Sequence, residues 1–168
     1  MIVVSDTTPI LSLLKAGRLG LLEDLYKIVA VPKAVFAELT GNAAYEDEKK
    51  EIVNCSFISV EEVSNKDSVD ILRNVTGLDA GESEALVLYR EKKADILLID
   101  EHKGRGVAKK MSVEYIGTVG ILMLAFDRGI IAAEEMKDIL ERLLLCDIRL
   151  SRKLCNKVLD YVGLENYF

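Results

Sequence analysis

The chain has 168 residues, of which 50% are hydrophobic and 30% are charged. This apolar content is high enough to build a folded core, and it excludes an intrinsically disordered protein. No apolar run approaches the ~18 residues that a membrane-spanning helix needs, so a spanning protein is excluded as well. The first residues reach Asp6 without a basic stretch, and we therefore expect no signal peptide.

The charges and the cysteines narrow the functional classes further. The formal net charge is −6, whereas proteins that bind nucleic acid through a simple basic patch are usually positive. A nucleic-acid partner would therefore need cations to offset part of the negative field. Three cysteines without CxxC spacing argue against a zinc ribbon or a disulfide scaffold and favour a reducing cytoplasm. His102 is the only histidine, so a metal site would consist of oxygen ligands.

Short β-branched runs alternate with helical patterns along the chain. In chain order the predicted elements are strand 2–4, helices 10–16 and 19–26, strand 28–31, helices 33–39 and 45–54, strand 57–60, helices 67–75 and 81–93, strand 96–99, helix 106–110, strand 113–116, and helices 118–128, 133–145 and 151–162. This alternation predicts an α/β sandwich around a mostly parallel sheet. We expect a single domain over residues 1–168, in which about 130–168 form a helical C-terminal extension that serves packing or oligomerisation.

Two of the predicted strands end in an aspartate, Asp6 after the first and Asp100 after strand 96–99. In open parallel sheets, ligands bind at the carboxyl edge, near a switch in strand order, so both carboxylates would converge there. Like charges a few ångströms apart repel by on the order of 1–4 kcal/mol, which favours a bound cation. Oxygen ligands favour Mg²⁺ or Mn²⁺. The structural alternative is that each aspartate only ends a strand and caps the segment that follows.

Two glutamates fit the same construction. Glu38 lies at the border of the apolar stripe of its helix, from where it can reach a cleft or remain solvated. Glu82 lies at the top of a buried stripe, and it also follows Asp79 by three residues, the spacing of a capping box. Glu84 is roughly 200° around the helix from Glu82 and cannot share its face. We expect Glu82, rather than Glu84, to face the site.

The order and spacing of Asp6, Glu38, Glu82 and Asp100 resemble the four acids of PIN-domain nucleases. The surrounding segments look like a prokaryotic PIN-like subgroup: Asp6-Thr7-Thr8-Pro9-Ile10, Val31-Pro32, Gly81-Glu82-Ser83-Glu84-Ala85 and Gly117-Thr118-Val119-Gly120-Ile121-Leu122. The resemblance covers roughly residues 1–130. One departure is Glu101, because many members of the subgroup carry a second aspartate directly after the strand-ending one.

The resemblance implies a three-layer α/β/α sandwich and a metal-dependent endoribonuclease that hydrolyses RNA. Asp6, Glu38, Glu82 and Asp100 would then be both the catalytic residues and the ligands of Mg²⁺ or Mn²⁺. Many PIN proteins are similar to ribonuclease toxins that an antitoxin holds inactive, and they often dimerise. An antitoxin protein and a second copy of the chain are therefore expected partners, and the apolar faces of the C-terminal helices are candidate surfaces for either.

Substrate contacts are expected from the basic residues after Asp100, chiefly Lys103 and Arg105, since lysine and arginine neutralise phosphates. The alternative for these residues is a solvated helix face. Thr7 and Thr8 precede Pro9 and are expected to cap the first helix, with donation to Asp6 or to a phosphate as the alternative. The segment 117–120 favours close helix packing over phosphate binding.

Two other functional classes stay open. A phosphatase or phosphotransferase with Asp6 as its nucleophile would usually carry a second aspartate two residues later, where this chain has Thr8. A non-catalytic module that binds nucleic acid or protein would use the acids for a structural ion or for none. Substitution of Asp6 and Asp100 by asparagine separates these readings from a nuclease.

Overall fold

A computed structural model describes residues 1–41, 46–146 and 148–165. The strands are β1 (Val3–Ser5), β2 (Val29–Pro32), β3 (Ile58–Glu61), β4 (Ile96–Leu98) and β5 (Tyr115–Ile116). The helices are α1 (Thr7–Lys15), α2 (Leu21–Tyr26), α3 (Lys33–Gly41), α4 (Glu46–Val53), α5 (Lys66–Thr76), α6 (Ala80–Lys92), α7 (His102–Lys110), α8 (Thr118–Asp127), α9 (Ala133–Leu145) and α10 (Arg152–Tyr161). Parts of two predicted segments lie outside the described residues, namely 45 in the fourth helix and 147 and 166–168 in the C-terminal extension.

The strands form one parallel sheet in the order β3-β2-β1-β4-β5. The chain moves outward from β1 to β3 and then crosses back, so that β4 pairs with the opposite side of β1. The strand order therefore reverses between β1 and β4, and this is where open α/β sheets bind ligands. The register places Ser5 beside Leu98, which brings the residues after these two strands to the same edge.

Side chains of the central strands alternate between two hydrophobic cores, because successive residues of a strand point to opposite faces. Val3, Val31 and Leu98 pack with α1, α2 and α8 to α10 on one face. Val4 and Leu97 pack with α5, α6 and α7 on the other. The predicted α/β/α sandwich with a parallel sheet is confirmed.

The C-terminal helices bury their apolar faces within this chain. Met136 and Leu140 of α9, together with Val158 and Leu159 of α10, belong to the same core as α1. These faces are therefore covered without a second copy or an antitoxin, contrary to the surface that the sequence suggested. Among the described helices, none combines the length and the apolar character that a membrane span requires.

Two helices begin three or four residues earlier than predicted, and both shifts affect the carboxyl edge of the sheet. Helix α1 begins at Thr7, so Asp6 occupies the N-cap position and both threonines lie in the first turn. The prediction that Thr7 or Thr8 caps this helix is therefore wrong. Helix α7 begins at His102 instead of residue 106, which places Lys103 and Arg105 on a helix.

Candidate active site

A cavity of about 260 Å³ opens at the carboxyl end of β1, and we call it the acid cavity. Its walls come from α1, α3, α6 and α7 and from the loops that precede α6 and α7. The described residues that line it are Asp6, Thr7, Thr8, Glu38, Asp79, Glu82, Glu101 and Lys103. Five carboxylates thus share this lining with a single lysine, so the cavity carries an excess of negative charge.

Asp6 lies at the base of the acid cavity. Its backbone N–H donates to the Leu98 carbonyl at 2.9 Å, which joins the end of β1 to the end of β4. The residue is only 3% exposed, and burial raises the pKa of its carboxyl from 3.8 to about 7. The Thr7 backbone N–H lowers this pKa, whereas the carboxylates of Asp79, Glu82 and Glu38 raise it further. Asp6 therefore favours a bound proton or a bound cation.

Glu82 has a structural role and also faces the acid cavity. Asp79 and Glu82 form a capping box, in which the Asp79 carboxylate accepts from the Glu82 N–H at 2.8 Å and the Glu82 carboxylate accepts from the Asp79 N–H at 3.1 Å. Burial raises the pKa of Glu82, with further contributions from the charges of Asp79 and Glu101, while the hydrogen bond from the Asp79 N–H and the charge of Lys103 lower it. The carboxylate approaches the backbone of α7 closely, since a Cβ at Gly104 would lie 2.8 Å from its Oε1 atom.

Glu84 has a different environment from Glu82, as their angular separation predicts. The Glu84 carboxylate accepts from the Ala34 N–H at 3.1 Å and from the Lys66 ammonium at 3.2 Å. It thereby holds the start of α3 and lies outside the described lining of the acid cavity. Glu82 is the member of this pair that faces Asp6.

Glu38 reaches the acid cavity from the exposed side of α3. Its Oε2 atom accepts from the Thr7 hydroxyl at 2.5 Å, so Thr7 orients this glutamate instead of capping α1. The same carboxylate lies against the first turn of α6, where a Cβ at Gly81 would be 2.9 Å from Oε1. The local packing therefore confines the Glu38 carboxylate between α1 and α6.

Asp100 lies outside the described lining of the acid cavity. Its carboxylate accepts from the Thr118 backbone N–H at 2.8 Å and from the Thr118 hydroxyl at 2.5 Å, both at the start of α8. Gly117 permits this approach, because a Cβ there would lie 2.6 Å from Oδ1 of Asp100. Asp100 instead lines an adjacent cavity of about 730 Å³, which we call the neighbouring cavity. Thr8 and Glu101 line both cavities.

The donor set has the chemistry of a divalent-cation site, since it consists of hard oxygen ligands with excess negative charge. Within residues 1–41, 46–146 and 148–165, however, no three His, Cys, Asp or Glu side chains are close enough to one another to hold one ion. Hydrogen bonds explain this spacing: Thr7 binds Glu38, the Asp79 N–H binds Glu82, and Thr118 binds Asp100. Asp6, Glu38 and Glu82 fit Mg²⁺ or Mn²⁺ by ligand type, and their side chains would have to reorient to bind it together.

The two residues that were predicted to bind substrate line different cavities. Lys103 lines the acid cavity and donates to the Gly77 carbonyl at 2.5 Å. Arg105 lines the neighbouring cavity, together with Asp100.

Sequence reasoning did not assign three residues that shape these cavities. Asp79 was interpreted only as a helix cap, although its carboxylate also adds charge beside Asp6. Glu101 lines the acid cavity, and the sequence feature that could have predicted this is its position directly after Asp100. Thr118 was not linked to Asp100, because the two residues are 18 positions apart and only the fold brings them together.

The sheet order and the carboxylates at its edge define an α/β/α protein with an acidic cleft at the strand-order switch. A protein-family model, DUF3368, described as a PIN domain, matches residues 2–164. The chain therefore belongs to the PIN-domain family, which confirms the resemblance found in the sequence. No curated protein and no solved structure matches the chain. PIN domains are generally nucleases and typically use divalent metals, so this is a nuclease-type fold.

Proposed function

We propose that the protein is a metal-dependent endoribonuclease that hydrolyses phosphodiester bonds of RNA in the acid cavity. The observation that carries this proposal is the shared placement of Asp6, Glu38 and Glu82, which come from three separate elements and line one cavity. The raised pKa of Asp6 supports it, because a bound cation would offset both the burial and the smaller carboxylate repulsion that raise this pKa. Family membership supports the class of activity.

The proposed division of labour follows from the contacts of each residue. Asp6, Glu38 and Glu82 would hold Mg²⁺ or Mn²⁺ after their side chains reorient, and such an ion would supply an activated water and stabilise charge on phosphate oxygens. Lys103 adds a positive charge at the wall of the acid cavity, where it can contact a phosphate. Asp100 completes the set of four acids from the neighbouring cavity, which adjoins the acid cavity at the shared residues Thr8 and Glu101. No protein nucleophile is needed for hydrolysis by this route.

The alternative of an Asp6 nucleophile is disfavoured by the same observations. Asp6 is 3% exposed, and a pKa of about 7 leaves much of its carboxyl protonated at neutral pH. A buried and partly protonated carboxyl is a poor nucleophile toward a phosphate. A stable acyl-phosphate on Asp6 would restore this alternative.

The cellular role is proposed from the resemblance to toxin-type PIN proteins. The protein would be the toxin of a toxin–antitoxin pair in the cytoplasm, and it would form a homodimer. Because the apolar faces of α9 and α10 are buried in its own core, an antitoxin or a second copy would bind elsewhere. Purification of the chain with its native flanking genes tests the pairing, and a lack of any tightly bound small protein would contradict it.

Cleavage of a labelled single-stranded RNA in the presence of Mn²⁺ tests the enzymatic proposal. We expect Asp6→Asn to reduce the rate by ~10²–10³-fold, because metal-bound charge stabilisation contributes several kcal/mol to catalysis. Asp100→Asn should also reduce it. Asp70→Asn is the matched control, since Asp70 is exposed on α5 and lines neither cavity. Cleavage retained by a folded Asp6→Asn/Asp100→Asn double variant would refute the proposal.

A further inference from the structure

We propose that the neighbouring cavity binds the nucleotide next to the scissile phosphodiester of single-stranded RNA, with Arg105 and Arg149 on its phosphate. This inference rests on the proposed nuclease function and adds a substrate subsite to it. The cavity is larger than the acid cavity, about 730 Å³ against about 260 Å³, and it lies within the ~300–1,000 Å³ typical of ligand sites. Because Thr8 and Glu101 line both cavities, an RNA strand that crosses these two residues contacts both.

Two arginines offset the carboxylates of Asp100 and Glu101 in the neighbouring cavity, whereas the acid cavity has one lysine against five carboxylates. Arg105 on α7 and Arg149 between α9 and α10 line the same cavity, although they belong to separate parts of the chain. Neither guanidinium has a hydrogen bond or an ion pair to a described residue, so within the described part of the chain their N–H donors are available to a ligand. The nearby Asp100 carboxylate is already occupied by its two bonds to Thr118. Guanidinium groups match the geometry of a phosphate, which they bind through paired hydrogen bonds.

The rest of the lining fits a nucleobase. Tyr115 is 37% exposed and offers an aromatic ring. Five apolar side chains line the same cavity. These are Ile116, Val119, Ile148, Leu150 and Leu154. Unpaired bases stack on aromatic side chains, whereas bases inside a duplex do not expose their faces. A cavity that joins two arginines to an aromatic and apolar wall therefore favours a single-stranded nucleotide over a bare anion.

The C-terminal segment gains a role through this assignment. Ile148, Arg149 and Leu150 form one wall of the neighbouring cavity, and α9 and α10 hold this wall in place through the core that they share with α1. The helices beyond residue 130 thus contribute a substrate contact in addition to packing.

Binding of a fluorescein-labelled single-stranded 8-nucleotide RNA, measured by anisotropy in the Asp6→Asn background, tests the subsite without cleavage. We expect Arg149→Met to raise Kd by ~10-fold. It should also reduce the slope of log Kd against log salt concentration by about 1, the change expected for the loss of one phosphate contact. Tyr115→Leu should raise Kd by ~5-fold or more through lost stacking. Arg73→Met on α5 is the control, since Arg73 lines neither cavity.

Unchanged affinity in a folded Arg149→Met variant, or a duplex of the same sequence that binds as tightly, would overturn the inference. In the Asp6-containing enzyme, Arg149→Met should raise KM more than it lowers kcat. If the chain binds RNA through Arg149 and yet cleaves none with Mn²⁺, the proposed nuclease function fails while the binding site stands.

Discussion

The acid cavity and the neighbouring cavity lie side by side at one edge of the sheet, yet their linings differ in charge balance and in apolar content. Among the described residues, the acid cavity has five carboxylates, one lysine and no apolar side chain. The neighbouring cavity has two arginines, a histidine and the two carboxylates of Asp100 and Glu101, together with a tyrosine and several aliphatic side chains. The first therefore repels a phosphate unless a cation is bound, whereas in the second the two arginines balance the two carboxylates and offer donors to a phosphate. The difference suggests that cleavage and substrate binding are assigned to separate pockets that share Thr8 and Glu101.

The largest expected effect concerns the pH dependence of stability and follows from the burial of Asp6. Its pKa rises from 3.8 to about 7 on folding, so the native state binds a proton more tightly than the unfolded state. The stabilisation by this proton is present below pH 3.8 and is lost as the pH rises through about 7. At pH 8 without divalent ions, Asp6→Asn should be more stable than the wild type by about 2–4 kcal/mol.

Urea unfolding of both proteins between pH 4 and pH 8 measures this difference. The gap in unfolding free energy should widen as the pH rises and reach a plateau above the Asp6 pKa. A gap that is constant with pH would show that Asp6 does not carry the charge penalty of the acid cavity.

A comparison of Glu82→Gln with Glu84→Gln sharpens the boundary of the acid cavity. The two residues are two positions apart on α6, but only Glu82 lines the cavity. We expect Glu82→Gln to lower the rate of RNA cleavage by ~10²-fold, since a ligand carboxylate is lost. Glu84→Gln should stay within about twofold of the wild-type rate, because it alters contacts to Ala34 and Lys66 outside the cavity. Equal losses in both variants would show that the effect is structural.

A smaller effect is expected at the contact between Thr118 and Asp100 in the neighbouring cavity. Thr118→Val removes the hydroxyl that binds Asp100 while the backbone N–H remains. Groups that orient a catalytic or metal-binding carboxylate typically contribute ~10–100-fold, and we expect the low end of this range. Thr118→Ser keeps the hydroxyl and should restore cleavage. A Thr118→Ser variant as slow as Thr118→Val would assign the effect to helix packing.

The fold was predictable from sequence because its signals are local. Short β-branched runs marked the buried strands, and the Asp79–Glu82 spacing marked the start of α6. The same local signals placed Asp6 at the end of β1 and Glu82 at the top of its helix. They misplaced the start of α1, because two threonines before a proline also suit a cap.

The arrangement of the site was less predictable, since it depends on contacts between distant residues. Thr7 donates a hydrogen bond to Glu38, which is 31 positions away in the chain. Thr118 donates one to Asp100, 18 positions away, and Asp100 lies outside the described lining of the acid cavity. Arg149 reaches the neighbouring cavity only because α9 and α10 pack on α1. No periodicity or spacing in the sequence encodes such contacts, which come from tertiary packing.

Anomalous diffraction from crystals grown with Mn²⁺ tests most directly whether the acid cavity binds a divalent ion. We expect a manganese peak in the acid cavity of the wild type, with the carboxylates of Asp6, Glu38 and Glu82 turned toward it, and no such peak in Asp6→Asn. A wild-type crystal saturated with Mn²⁺ that shows no peak among these three side chains would contradict the proposed site.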